Sequence, residues 1–218
     1  RVGPLEVLRL RRRPGENYSM DHRLPRVAEQ VVAAVVEQGP DLVHLHHTLN
    51  LSGDLAARLA GAGLPVVATL HDYTLVCARF FLVRPDGQSC EQAFPLPAVP
   101  RCVDCVLPDF PAGRQALLAE TSARASTARA EAAAMAFAIA PSDIVRRRWL
   151  ASGLFEPARL VALPHGGSVP AAPPAPPRDR GDGRLVLATW GHLAPAKGLL
   201  DLLAAMRLLR DPRVALLV

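Results

Sequence analysis

Two short apolar runs in this chain each end in residues that can hold or move a proton. Asp41 to Leu45 leads into His46 and His47, and Leu64 to Leu70 leads into His71, Asp72 and Tyr73. Imidazoles titrate near neutral pH, and beside a carboxylate and a phenol they can donate, accept and transfer protons. If the two runs are neighbouring parallel strands, all five side chains share one rim. The competing reading has some of them, His46 first, capping strand ends or bonding to loops.

The four cysteines follow directly. Cys77, Cys90, Cys102 and Cys105 form a C-x12-C-x11-C-x2-C pattern. A close pair plus two single cysteines in a short span suits a tetrahedral structural zinc, in which four thiolates leave no open position for catalysis. Free thiols and disulfides stay open as alternatives, disulfides being the less expected use in a reducing compartment. A metal there would anchor the proline-rich segment 74–110, which has little core of its own. Further along, L-V-L-A-T-W-G-H-L-A-P-A-K-G places a strand end at Gly191, a loop with His192, and Lys197 at the start of a helix. A cation at a helix N-terminus suits a phosphate; alone, Lys197 reads as an ordinary surface lysine. Neither G-x-G-x-x-G nor G-x-x-x-x-G-K-[ST] occurs, which sets aside the nicotinamide and P-loop readings.

The elements that must position these groups are legible in the periodicity. Leu5–Leu10 reads as a short strand and Arg11–Asp21 as a loop. Pro25–Gln38 repeats Val27, Val31 and Val35 at helical spacing and stops at Gly39-Pro40. Asp41–Leu45 reads as a strand, Asn50–Ala62 as a helix with Asn50 or Ser52 as its N-cap, and Leu64–Leu70 as a second strand. Strand, helix, strand implies a parallel pair with a right-handed crossover, and near-continuous apolar strands imply a sheet covered on both faces. After the cysteine segment come a long helix over Pro111–Met135, a strand over Met135–Ala140, a helix from Ser142 to Ala151 and a strand over Leu160–Leu163. In that last helix Ile144, Val145, Trp149 and Leu150 lie on one side. Pro170–Gly183 reads as a linker, followed by a strand over Arg184–Trp190 and a helix over Gly198–Arg210. The expected organisation is a Rossmann-like parallel α/β domain over residues 1–169, a linker over 170–183, and the first elements of a second such domain over 184–218.

Composition narrows the function classes. Of 218 residues, 50% are hydrophobic, and net charge is +5. Lys197 is the single lysine among 25 basic residues, so the excess is arginine in an alanine- and proline-rich chain. Aromatics at 5% are too few for a base-stacking platform, and no nucleic-acid partner is expected. The clusters Arg9 with Arg11–Arg13 and Arg146–Arg148 read either as solvated surface or as contact with an anionic membrane face. No stretch approaches the roughly 20 apolar residues that span a bilayer. The chain opens on Arg1 without a signal-peptide pattern and ends in a strand-like run, so both ends are expected to be cuts within a longer protein. A cytoplasmic location, peripheral at the inner membrane face if the basic clusters engage it, follows as the expectation.

Several segments, in order, resemble family 4 glycosyltransferases, retaining enzymes of the GT-B fold. D-L-V-H-L-H-H resembles the family's strand and loop near the acceptor, and P-V-V-A-T-L-H-D-Y the strand that delivers an active-site histidine, here His71. The cysteine pattern resembles a subset with a cysteine-bearing insert. A-P-S-D-I-V-R-R-R-W-L-A-S-G resembles the helix before the crossover, L-P-H-G-G stands where L-P-N-G-V is usual, and W-G-H-L-A-P-A-K-G resembles the G-R-L-x-P-x-K-G that opens the donor domain.

The resemblance implies a nucleotide-diphosphate sugar donor, a hydroxyl acceptor on a glycan or lipid carrier, retention of configuration and no catalytic metal. His71 would then be the catalytic cleft residue, with His46, His47, Asp72 and Tyr73 around the acceptor. Lys197, His192 and Gly191 would hold the donor phosphates. His192 replaces the family's arginine and is no substitute for a permanent guanidinium, and His165 replaces its asparagine. Because the family's glycine-rich loop and E-x7-E motif are missing, the chain is expected to be inactive alone. A non-catalytic binding module with a structural zinc loop is the alternative.

Overall fold

The structure is a computed structural model that describes residues 7, 9–11, 13, 22–90, 99–109, 113–166, 183–191 and 197–218. Half of the expected strand at Leu5–Leu10 falls outside these residues, as do most of the 11–21 loop, most of the linker, and His192. Two compact units divide the chain, Arg1–Gly166 and Gly167–Val218.

In the first unit, α1 (Pro25–Gln38) begins with proline in its first turn and ends where Gly39 adopts a left-handed conformation, its N–H bonding to Val36 O at 3.1 Å. That end requires φ of 57°, which glycine adopts at little cost. Then follow β1 (Val43–Leu45), α2 (Leu55–Gly61), β2 (Val66–Thr69), α3 (Val99–Val106), α4 (Arg114–Ala134), β3 (Phe137–Ala140), α5 (Asp143–Ala151) and β4 (Leu160–Ala162). The strands form one sheet in the order β1-β2-β3-β4, and every neighbouring pair is parallel. Parallel strands cannot be joined by hairpins, so each connection carries at least one helix.

The core is built where this sheet meets its helices. Leu55, Ala56 and Leu59 of α2, Val66 and Ala68 of β2, Ala138 and Ala140 of β3, and Trp149 of α5 are buried together. Burying a leucine fully contributes about 1.5–3 kcal/mol. Phe155 meets Trp149 edge-on, with centroids 5.7 Å apart. On α5, Ser142 accepts a hydrogen bond from Val145 N and caps the helix as expected. Ile144, expected on the same side as Trp149, is instead exposed.

The proline-rich segment 74–110 holds α3, which carries Cys102 and Cys105. Pro100 sits in its first turn, where a missing N–H costs nothing. The helix α2 is shorter than Asn50–Ala62, and neither Asn50 nor Ser52 caps it. Asp54 occupies the cap position, but its carboxylate bonds to Ser52 and Arg58 rather than to the helix N–H groups. The free N–H groups of Ala56 and Ala57 donate instead to the two carboxylate oxygens of Glu131, at 2.9 and 2.7 Å. A residue 75 positions away thus supplies the cap, while Ser52 Oγ accepts from Leu24 N.

In the second unit, β5 (Leu185–Ala188) pairs in parallel with β6 (Val214–Leu217), and α6 (Leu199–Leu209) connects them. No residue of α6 is buried, and Trp190 is 90% exposed.

Candidate functional site

The register of β1 on β2 puts His44 beside Val67 and Leu45 beside Ala68. Both strands run the same way, so the residues that follow them emerge at one carboxyl rim. His46 Nδ1 lies 3.0 Å from His71 Nε2, and His47 Nε2 lies 2.6 Å from Asp72 Oδ2. One residue inside the strands, His44 Nε2 lies 2.9 Å from Thr69 Oγ1.

The aspartate is fixed on its other side. Its Oδ1 accepts from Thr74 N at 2.8 Å and Thr74 Oγ1 at 2.6 Å. These bonds and His47 hold its carboxyl below the usual carboxylate range, against the burial that pushes it up. Asp72 in turn raises the pKa of His47. Leu49 N donates to His47 Nδ1 at 2.9 Å, so in the neutral ring Nε2 carries the proton and donates it to Asp72. A second proton on His47 would break the Leu49 bond.

A row of imidazoles runs along this edge. Centroids of His44 and His46 are 4.2 Å apart, those of His46 and His71 5.3 Å, and those of His71 and His165 4.9 Å. The last pair is stacked with its rings nearly parallel, at 17°. Charge on one ring disfavours charge on the next. Partial burial, then His165 and His46, lower the pKa of His71, and only Asp72 opposes them. Burial and His46 lower that of His44. A neutral His71 can either accept or donate a proton at physiological pH.

Below the rim lies a cavity of about 50 Å³ lined by His46, His47, Thr69, His71, Asp72 and Trp149, among others. His46, His47, His71 and Asp72 therefore converge. Tyr73 does not join them. Its ring packs on Trp149 at 5.4 Å, its pKa is raised by burial, and its backbone anchors the following turn by bonding to Phe80 O at 2.8 Å.

Three contributors escaped the sequence reading. His44 sits inside a strand, where alternation would turn it from the rim. His165 was visible only as a departure from a pattern, with nothing to show that it stacks on His71. Glu131, on the alanine-rich α4, is fully buried at the cavity floor; burial pushes its pKa up to about 7, opposed by the two backbone donors.

Behind the rim, Arg124 is 4% exposed. It donates to His22 Nδ1 at 3.0 Å and to Thr74 O at 3.3 Å. Burial and this guanidinium depress His22 to about 3. The other ring nitrogen of His22 has no hydrogen-bond partner among the described residues. The His22 ring lies over Gly53, where any Cβ would overlap it.

The remaining candidates stand as follows. Gly191 has a φ of 130° and Lys197 is exposed, immediately before Gly198, the left-handed N-cap of α6. The four cysteines are free. Among the described residues no group of three His, Cys, Asp or Glu side chains is already arranged to hold a metal ion. Of the basic clusters, Arg146 bonds to Leu160 O at 2.8 Å and to Pro157 O at 3.3 Å, a structural use. No described helix is long and apolar enough to cross a membrane.

The four-stranded parallel α/β sheet is Rossmann-like, and open sheets of this kind bind ligands beyond their carboxyl edge. Within that class the match is specific: the model for Glycosyltransferase Family 4 covers residues 2–168, and the chain belongs to this family. No match was found among curated proteins or among solved structures.

Proposed function

We propose that this glycosyltransferase moves a sugar from a nucleotide-diphosphate donor to a hydroxyl acceptor with retention of configuration, and that the acceptor hydroxyl is received at the rim formed by His46, His47, His71 and Asp72. The observation that carries this reading is the bond between His46 and His71 at the carboxyl edge, with His165 stacked on His71.

His71 is the catalytic residue in this reading. Held neutral by its neighbours, it orients the donor sugar and hydrogen-bonds the incoming hydroxyl. The His47–Asp72 pair fixes the loop after β1 and presents a second polar edge to the acceptor. The departing diphosphate takes the acceptor proton on the face from which it leaves, so no protein nucleophile is required. In the second unit, Lys197 and the start of α6, with Gly191 and His192, hold the donor phosphates; a cation and helix N–H groups stabilise the charge that builds on the leaving group. The acceptor is a hydroxyl of a glycan or a lipid-linked carrier. No metal takes part in the chemistry.

The test is donor turnover by a complete enzyme that carries this domain and by its His71→Ala variant, across a panel of nucleotide sugars, read as release of nucleoside diphosphate. Turnover should fall far more than folding stability. Equal loss of both would return His71 to a structural role.

A further inference from the structure

All four cysteines of the chain line one cavity, of about 70 Å³, away from the histidine rim. They reach it from three separate pieces of chain. Cys77 closes a turn, its N–H bonding to Tyr73 O at 2.8 Å and its carbonyl accepting from Phe80 N at 3.0 Å. Cys90 follows the antiparallel bridge between Val83 and Ser89, and its N–H bonds to Leu82 O at 2.6 Å. Cys102 and Cys105 are three apart on α3, so they share a face of that helix.

Two further features bear on what this cavity holds. Among the described residues the apolar core around it is small: Val103, Val106 and Leu117 form one buried cluster, and Val76 and Leu82 are the further buried apolar residues lining the cavity. A segment of this size normally needs a metal or a disulfide as a staple, and no disulfide is present. The cavity wall is also cationic. Arg79, Arg84, Arg101 and the buried Arg124 line it together with the thiols. Arg79 and Arg84 also pair with Asp109 and Asp86. Four thiolates around one divalent cation carry a net charge of about −2, and the guanidinium wall, of which Arg124 also pairs with Glu120, offsets part of it.

We infer that Cys77, Cys90, Cys102 and Cys105 bind one zinc ion as a closed tetrahedral site, clamping α3 and the 77–90 turns onto the domain. An S₄ set with no open position is a structural site, and zinc is the ion whose geometry it suits. Binding draws the sulfurs from their present spacing to about 2.3 Å from the metal. Four thiols lose four protons to solvent as four zinc–sulfur bonds form, with no change in oxidation state. The site is independent of the transfer chemistry.

The experiment is elemental analysis of the 218-residue chain purified without a metal-affinity tag or chelator, with cobalt substitution as a second readout. About one zinc per chain should survive dialysis. The Cys102→Ser/Cys105→Ser variant should lose it. Cobalt should give the intense visible bands of a tetrahedral tetrathiolate in the wild-type chain, which does not depend on the variant folding. Four freely titrating thiols with no zinc, two disulfides by mass, or iron with the visible spectrum of a cluster would each overturn the assignment.

Discussion

His46 Nδ1 and His71 Nε2 face each other across 3.0 Å at the carboxyl ends of adjacent parallel strands. One ring must donate and the other accept, so the contact exists only while at least one is neutral. His165 stacked on His71 adds a second reason for that ring to stay uncharged.

His71 should therefore titrate below the ordinary histidine value of 6.5. Its folded-state pKa is depressed, so the unfolded chain binds more protons in that window. Its stabilising contribution is complete above 6.5 and declines as pH falls. NMR titration of ring C–H signals reads this directly. His165→Ala should move the His71 midpoint upward, and an unchanged midpoint would show that the stacking does not govern its charge.

His47 should behave in the opposite sense. Asp72 raises its pKa, so the pairing stabilises the fold below 6.5 and fades as pH rises through the folded-state value. Asp72→Asn should return His47 toward 6.5. It should also weaken the turn at Thr74, because an amide offers one acceptor oxygen where the carboxylate offered two.

The buried Glu131 makes a stability prediction. Glu131→Ala leaves the N–H groups of Ala56 and Ala57 without their partner, at a cost of about 1–3 kcal/mol for the buried Ala56 donor and less for the half-buried Ala57. Glu131→Gln should cost less, since its one carbonyl oxygen keeps one of the bonds. Urea denaturation of the two variants separates them. Equal small losses would mean that water replaces the carboxylate.

Acid sensitivity should centre on His22. Its pKa of about 3 lies well below 6.5, so stability is retained above 6.5 and lost on acidification, by up to about 1.4 kcal/mol per pH unit in that window. Gly53→Ala should destabilise the fold by displacing the same ring. A Gly53→Ala chain with unchanged melting would show that the ring moves freely.

Local signals in the sequence went far with the first unit. Pro25 and Gly39 bound α1, Ser142 caps α5, and the apolar runs before His46 and His71 are the strands that bring them together. What stayed hidden depends on distant partners. The cap of α2 comes from Glu131, which no local rule could pair with Ala56, so Asn50 and Ser52 drew the assignment instead. Tyr73 follows His71 and Asp72 in sequence, yet packs on Trp149 because a fold-wide core claims its ring. The stack of His165 on His71 requires the chain to return along β4, which spacing alone does not fix.

The most direct measurement compares His71→Ala with the unmodified sequence, both within a complete enzyme that carries this domain, in sugar-donor turnover and thermal melting. His71 is exposed at the rim, so its loss should alter stability by no more than about 0.5 kcal/mol. Turnover should fall by about 100-fold or more, the scale of a positioned proton-handling group. Unchanged turnover, or a fall matched by an equivalent loss of folded protein, would contradict a catalytic role for the rim that β1 and β2 build.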